Sequence, residues 1–466
     1  MGVTFDVHNP ATGDVLDAVP DHTEVDVVAM VAAASSAAQG WRQCPTNERI
    51  AMLEEAARLV EQHADELAYL DAAGTGNPLR ATRRDVTIGV AGLRLMGRMV
   101  HQLSGRTLVP TAKLVDYVVR EPFGVVARII PFNHPVQFAV QKVAAPLLAG
   151  NCVILKPSPV GAVGALRTAE LVASVLPPAV LQVATDSSGA AGSALIAHPR
   201  VKRIAFTGSA ATAQRIMAEG AAHGIKSFSF ELGGKNPLIV LPDADPVGAA
   251  DAAVAGMNLD RTLGQSCGST SRVFVHDDLY DDVVPRIVDK FDALRLGLPT
   301  DPDTECGCLS SPAQLEKIER YVALALQEGA TLAAGGRRPD EAELANGCFY
   351  RPTVFVDVEP TMRIANEEVF GPVLSVLRWR DEAAMIEDVN RVELGLTANI
   401  WTDDMATGHR LASLVEAGYV WINSPDGAHV PGAPFGGVKN SGIGREASIE
   451  ELESYTELKN VAVHLG

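Results

Sequence analysis

The chain has 466 residues, 47% of them hydrophobic and 21% charged, with a formal net charge of −18. That length can bury a large core in two or three domains. The acidic balance argues against sequence-independent binding to nucleic-acid backbones or anionic membranes, both of which need a basic face. The N-terminal residues lack the basic region and apolar stretch of a signal peptide, and Asp6 stands where a myristoylation motif has Ser or Thr. Arg128, Pro131, Asn133, His134 and Lys142 interrupt the apolar run 123–155. No bilayer span is therefore expected, and the expected compartment is the cytoplasm. The six cysteines are too sparse for a disulfide framework. Cys306 and Cys308 are close together but lack a partner pair at zinc spacing, so no metal site is expected.

Helices are predicted over 23–39 and 46–70, the second from Leu53, Ala56, Ala57, Val60 and Ala64 at three-and-four spacing. Residues 115–130 read as two strands broken at Glu121-Pro122-Phe123-Gly124, a hairpin signal. From about 135, short apolar strands alternate with helices: 152–155, 180–183 and 203–206 are strands, and 161–176 is a helix. A second alternating set follows Glu231, with strands at 238–241, 272–276, 354–356, 373–377, 399–401 and 419–422. Helices are predicted between them at 278–293, 312–328, 381–391 and 404–417. Such alternation predicts parallel strands with crossover helices, hence an α/β fold in two halves with a boundary near 233. The tail 455–463 reads as an edge strand that pairs with another segment.

Four places carry candidate chemistry. Cys267 lies in Gly-Gln-Ser-Cys-Gly-Ser after a small-residue helix (249–258); its small neighbours leave a thiol open, although a free cysteine alone is more often a small core residue than a nucleophile. Glu231 ends the apolar run Phe228-Ser229-Phe230 at a glycine turn, as a paired or capping carboxylate or as a base with a raised pKa. Asn133, bracketed by prolines in Pro131-Phe-Asn-His-Pro135, is a turn residue or an amide donor to a developing oxyanion. Thr207-Gly208-Ser209 joins a predicted strand to a predicted helix, a geometry that offers N–H groups to a phosphate, but the glycine fingerprint of the common dinucleotide fold is missing.

Taken in order, Pro131-Phe-Asn-His-Pro, Lys156-Pro-Ser, Phe206-Thr-Gly-Ser, Glu231-Leu-Gly-Gly-Lys, Gly264-Gln-Ser-Cys267, Glu367-Glu-Val-Phe-Gly-Pro372 and Pro434-Phe-Gly-Gly-Val-Lys-Asn-Ser-Gly442 resemble the motifs of the aldehyde dehydrogenase superfamily. The likeness runs from about residue 5 to the C-terminus.

The resemblance implies a Rossmann-like NAD(P)-binding domain (1–115 and 131–233) and a catalytic domain (234–440). It also implies a small β oligomerisation element, made of a hairpin at 116–130 and a C-terminal strand within 441–466. A homodimer or homotetramer acting on a small-molecule aldehyde follows. By the same resemblance Cys267 is the nucleophile, Asn133 an oxyanion donor and Glu231 the base that activates water on a thioester. Relatives that pass the acyl group to coenzyme A usually lack this carboxylate, so its presence favours a free acid. Lys156 is expected near the adenine ribose, Thr207, Gly208 and Ser209 near the pyrophosphate, and Glu368 and Phe370 near the nicotinamide ribose. His134, Phe138, Gln141, Ser266, Gly268, His429 and Phe435 are expected in the substrate pocket. Glu446 matches a position linked to proton transfer, with a structural ion pair as the alternative.

The chain departs from the family pattern at three positions. Pro159 stands where many members have a Glu that binds the ribose 2′-hydroxyl, which leaves NAD and NADP both open. Ala213 replaces a usual glycine, and Phe132 a usual Trp.

Overall fold

The computed structural model describes residues 3–465. Two hydrophobic cores form around two sheets. The first sheet has six strands in the order Gly442–Ile443, Ser227–Leu232, Val201–Gly208, Val125–Ile129, Cys152–Lys156, Leu181–Val183. All its pairings are parallel except that of the short Gly442–Ile443 segment. Strands such as Cys152–Lys156 are buried along their whole length because helices cover both faces, as a parallel sheet requires. The second sheet has seven strands, with Pro237–Val240 and Arg272–His276 near its middle and Thr331–Ala334 antiparallel at one edge.

The hairpin expected at 115–130 does not form. Leu114–Pro122 joins Thr456–His464 and Arg106–Thr107 in a separate three-stranded sheet, whereas Val125–Ile129 runs inside the six-stranded sheet between Cys152–Lys156 and Val201–Gly208. The burial of the two strands matches the split. Val125-Val-Ala-Arg128 is buried on both faces, a central-strand environment, while most of Leu114–Pro122 is only half-buried. Gly124, at φ +100°, turns the chain from one sheet into the other.

The C-terminal segment also has two destinations. Gly442 pairs with Glu231 in the six-stranded sheet, and only Thr456–His464 lies along Leu114–Pro122. The helix predicted at 46–70 is two helices, Thr46–Gln62 and Ala64–Thr75, with a break at His63. The helix near residue 23 starts with a capping box between Thr23 and Asp26 and extends to Gln43. Cys306 and Cys308 are buried, and Cys308 packs with Leu344 and Phe349. Among the described residues no helix is long and apolar enough to cross a membrane.

Candidate active site

The loop that carries Cys267 is built to be rigid. After the helix Pro246–Gly256 and the single turn Leu259–Thr262, Leu263 and Gly264 adopt left-handed conformations that reverse the chain. A Cβ at Gly264 would strike the backbone of Gly371, so only glycine lets the loop seat against the Glu367–Pro372 segment. Asn236 pins the far side: its Nδ2 donates to Cys267 O (2.8 Å) and Ser269 O (2.9 Å), and its Oδ1 accepts the Thr397 N–H (3.1 Å). Gln265 Oε1 accepts the Ser310 N–H at 3.1 Å. The loop is thus held in place, and Cys267 on it is half-buried.

Glu231 meets it there. Its Oε2 lies 3.7 Å from Cys267 Sγ, and its Oε1 is buried without a protein partner. Burial, reinforced by the negative charge of Glu446, pushes Glu231 up to about 8, only partly offset by Lys142. The Cys267 thiol is raised well above its ordinary value, by burial first and by the Glu231 charge second.

Glu446 forms an ion pair with two cations. Arg128 Nη2 donates to its Oε1 at 2.6 Å, and Lys142 Nζ meets its Oε2. Burial alone would raise this carboxyl, but the two cations outweigh it and hold it at about 2.

Asn133 reaches the same edge of the sheet by topology. Val125–Ile129 and Ser227–Leu232 are parallel and separated by one strand, so Asn133 and Glu231 leave the sheet at one end, with their strands about 10 Å apart. The Asn133 side chain is buried with Oδ1 unpartnered, and its backbone carbonyl is held by Asn77 Nδ2 at 2.8 Å. Next to it, Phe132 packs edge-on against Phe370 with 5.8 Å between ring centroids. Cys267 and Glu231 are therefore in direct contact, and Asn133 lies at the same end of the six-stranded sheet as Glu231.

The residues expected at the cofactor fall into two groups. Ser209 caps the helix Ala210–Ala222 by accepting the Thr212 N–H, and Thr207 Oγ1 lies 3.4 Å from Arg128. With Gly208 they sit at the carboxyl end of a strand adjoining Val125–Ile129, where the strand order reverses; ligands of open α/β sheets bind at such a point. Lys156, at the end of the neighbouring strand, is buried and ion-paired to Asp186 at 2.5 Å.

In the other half of the chain, Glu368 Oε1 accepts the Gly234 N–H at 3.1 Å, and its Oε2 makes no hydrogen bond with the described residues. A Cβ at Gly233 would collide with this carboxylate. Burial raises the Glu368 pKa, and Lys317 and Lys235 temper that rise. Phe370, at φ +58°, is a bulky residue in a left-handed conformation, held by its contact with Phe132. A capped helix start, a buried carboxylate with a spare oxygen and flanking cations fit a dinucleotide. Lys317 was not singled out from sequence; it lies mid-helix in a charged run that reads as a solvated face.

The expected substrate residues form two groups. On one side His134 Nδ1 lies 2.6 Å from Asp85 Oδ2, and its ring packs edge-on against Phe138. Gln141, one further turn along this helix, accepts from Gln137 at 3.1 Å. On the other side His429 stacks on Phe435 with 4.4 Å between centroids and on Tyr419 with 5.4 Å. Burial, with the charges of Arg261 and Lys142, lowers His429 to about 4. Lys142 lies over the Phe138 ring and binds Glu446, whose backbone pairs with that of Phe435, so the two groups are tied together. Ser266 Oγ accepts the Gly268 N–H, which shapes the loop beside the thiol.

Sequence reasoning missed Tyr419, Trp421, Asp85 and Arg261. A signal existed for the first two: Tyr419-Val-Trp421 places two aromatics on one face of a strand, and that strand is only half-buried. Asp85 and Arg261, 3.5 Å apart, pair across distant segments and leave no local pattern.

This geometry agrees with what the chain is similar to. A family model described as the aldehyde dehydrogenase family matches residues 2–461, and the chain belongs to that family. It is 42% identical over 465 residues to aldehyde dehydrogenase tropH of Talaromyces stipitatus, covering 98% of this chain and 90% of that protein. It is 38% identical over 467 residues to a betaine aldehyde dehydrogenase of Cereibacter sphaeroides, covering 100% and 95%. An NAD+ complex of an aldehyde dehydrogenase from Bacillus cereus superposes with a TM-score of 0.95 at 38% identity, covering 100% and 94%. PnpE from Pseudomonas sp. WBC-3, bound to nicotinamide adenine dinucleotide, also superposes at 0.95, with 36% identity and coverage of 99% and 94%. The chain is an NAD(P)-dependent aldehyde dehydrogenase.

Proposed function

We propose that the enzyme oxidises its aldehyde through a thioester on Cys267, which water activated by Glu231 hydrolyses to the free acid. The observation that carries this reading is the 3.7 Å approach of Cys267 Sγ to a buried Glu231 carboxyl held at about 8. At that value Glu231 gains and loses its proton near neutral pH, as a general base must. The Cys267 sulfur adds to the carbonyl carbon while its proton passes to solvent, directly or by way of Glu231, which releases it again before hydrolysis. The new oxyanion is met by the Asn133 amide and the Cys267 backbone N–H. When bound, the oxidised nicotinamide supplies the acceptor for the hydride that leaves the carbonyl carbon. Glu231 then takes a proton from water, the hydroxide adds to the thioester, and the thiolate leaves, which restores Cys267.

Lys156, Thr207, Gly208 and Ser209 would hold the adenosine and pyrophosphate, and Glu368 and Phe370, with Lys317, the nicotinamide ribose. The half ending at Leu232 is read as the dinucleotide-binding domain and the half beginning at Pro237 as the catalytic domain. His134, Phe138, Gln141, Ser266, His429 and Phe435 would line the substrate side.

We further infer a homodimer or homotetramer. Thr456–His464 is the unpaired edge of a three-stranded sheet and exposes Leu458 and Val463, an edge that pairing with a second copy would cover. The six unpaired thiols are in keeping with a cytoplasmic protein.

Mass spectrometry tests the chemistry. Glu231→Gln mixed with aldehyde and cofactor should accumulate an acyl adduct on the Cys267 peptide, and an adduct elsewhere would remove the assigned nucleophile.

A further inference from the structure

The ribose end of the dinucleotide site holds a charge arrangement that the sequence pattern does not reveal. Lys156 closes the strand Cys152–Lys156, and Asp186 lies three residues beyond the adjacent parallel strand Leu181–Val183. Both side chains are buried, with 9% and 1% exposure. Nζ lies 2.5 Å from Asp186 Oδ1, and it also donates to Pro157 O at 3.2 Å. Asp186 is itself fixed, because its Oδ2 accepts the Ala191 N–H at 2.8 Å. The lysine stem is wedged against the same helix, where a Cβ at Gly192 would lie 3.2 Å from Lys156 Cε. The contact at Oδ1 lacks the alignment of a hydrogen bond, so the pair is primarily a charge pair.

Its place in the sheet gives this pair a consequence. The chain runs outward from Val125–Ile129 to Cys152–Lys156 to Leu181–Val183, then crosses back to Val201–Gly208 on the other side of the first strand. In such sheets the dinucleotide lies across the carboxyl ends. An acid beyond the second strand recognises a ribose 2′-hydroxyl, while a free cation accommodates a 2′-phosphate. Here the second strand ends in a lysine and Pro159 follows where an acid could stand, which by itself would favour the phosphate. Asp186 reverses that expectation from the third strand. It neutralises Lys156 by setting a carboxylate 2.5 Å from the ammonium, so a doubly charged phosphate would meet a compensated cation.

We propose that Asp186 is the positioning residue that sets this enzyme's choice of dinucleotide, holding Lys156 in a neutral pair that accepts a ribose with a free 2′-hydroxyl and disfavours a 2′-phosphate. The proposal rests on the dinucleotide site described above.

Calorimetric titration of the full-length enzyme with NAD+ and NADP+ tests it without turnover. The wild type should bind NAD+ at least tenfold more tightly than NADP+. Asp186→Asn keeps an oxygen for the Ala191 N–H but removes the charge, and should narrow that ratio about tenfold, chiefly by tightening NADP+. Asp186→Ser, which retains a hydroxyl acceptor, should do the same and serves if the Asn variant folds poorly. If Asp186 only supports its loop, both affinities will change together and the ratio will stay within threefold, which overturns the proposal. A wild type that binds NADP+ as tightly as NAD+ also overturns it, with no variant needed. Binding of neither nucleotide by folded wild type would instead undo the dinucleotide site itself.

Discussion

Arg128 Nη2 donates to Glu446 Oε1 at 2.6 Å with the guanidinium fully buried, and Lys142 meets the other oxygen of the same carboxylate. This cluster ties the C-terminal segment to a central strand of the six-stranded sheet and to the helix behind Asn133. It also acts on Glu231, because the Glu446 charge is second only to burial in raising that carboxyl. Glu446→Gln should leave two buried cations without their counter-charge and cost about 3–5 kcal/mol of stability. It should also move the Glu231 titration below about 8, since a lost anion favours ionisation. Denaturant unfolding and the pH profile of thioester hydrolysis measure the two effects. A variant that matches the wild type in both would show that the cluster does neither.

The hydrolytic step should follow the same carboxyl. With Glu231 at about 8, the ionised base is the minor form at neutral pH. Single-turnover hydrolysis should therefore climb as pH rises toward about 8 and level off above it. In Glu231→Gln that limb should be gone, with a burst of reduced dinucleotide still seen. Steady turnover of the Gln variant at the wild-type rate would remove Glu231 from this role.

The fold and the site were legible to different degrees, for physical reasons. Parallel strands such as Cys152–Lys156 read clearly because burial on both faces forces a continuous apolar run. The hairpin at 115–130 was misread because Glu121-Pro-Phe-Gly124 has hairpin turn chemistry, yet the partners of both strands lie far away in sequence. Cys267 and Glu231 stood out by ordered motifs, while their 3.7 Å contact depends on a loop pinned by Asn236. The Lys156–Asp186, Arg128–Glu446 and Asp85–His134 pairs each join distant segments, so no local spacing records them.

Asn236 gives a test of that pinning. Asn236→Ala removes the two hydrogen bonds to the Cys267 loop and the one from Thr397, leaving buried backbone groups unpaired. Each such group costs about 1–3 kcal/mol. A misplacement of the thiol by about 1 Å can cost on the order of a hundredfold in rate. The variant should lose kcat while its dinucleotide affinity stays near wild type, as read by steady-state kinetics and calorimetry. Unchanged kcat would mean that the loop holds its shape without Asn236.

Asn133→Ala should lower kcat by about a hundredfold to a thousandfold, the usual effect of losing one oxyanion donor. Since the amide acts on charge that develops during addition, KM should change far less than kcat. A change confined to KM would make Asn133 a binding residue.

Glu231 also links stability to pH, and the sign can be worked out. Its carboxyl is raised from 4.5 to about 8 in the folded protein, so the folded state holds that proton more tightly than the unfolded chain. The resulting stability is fully present below about 4.5 and is lost as pH rises through about 8. Glu231→Gln mimics the protonated form at every pH. The variant should therefore match wild type at pH values near 4, outstrip it progressively through neutrality, and hold a constant advantage above about pH 9. Thermal midpoints of both proteins across that range measure the difference. An advantage that shrank with rising pH would mean that Glu231 is stabilised as the anion, which conflicts with a buried base beside an uncharged thiol.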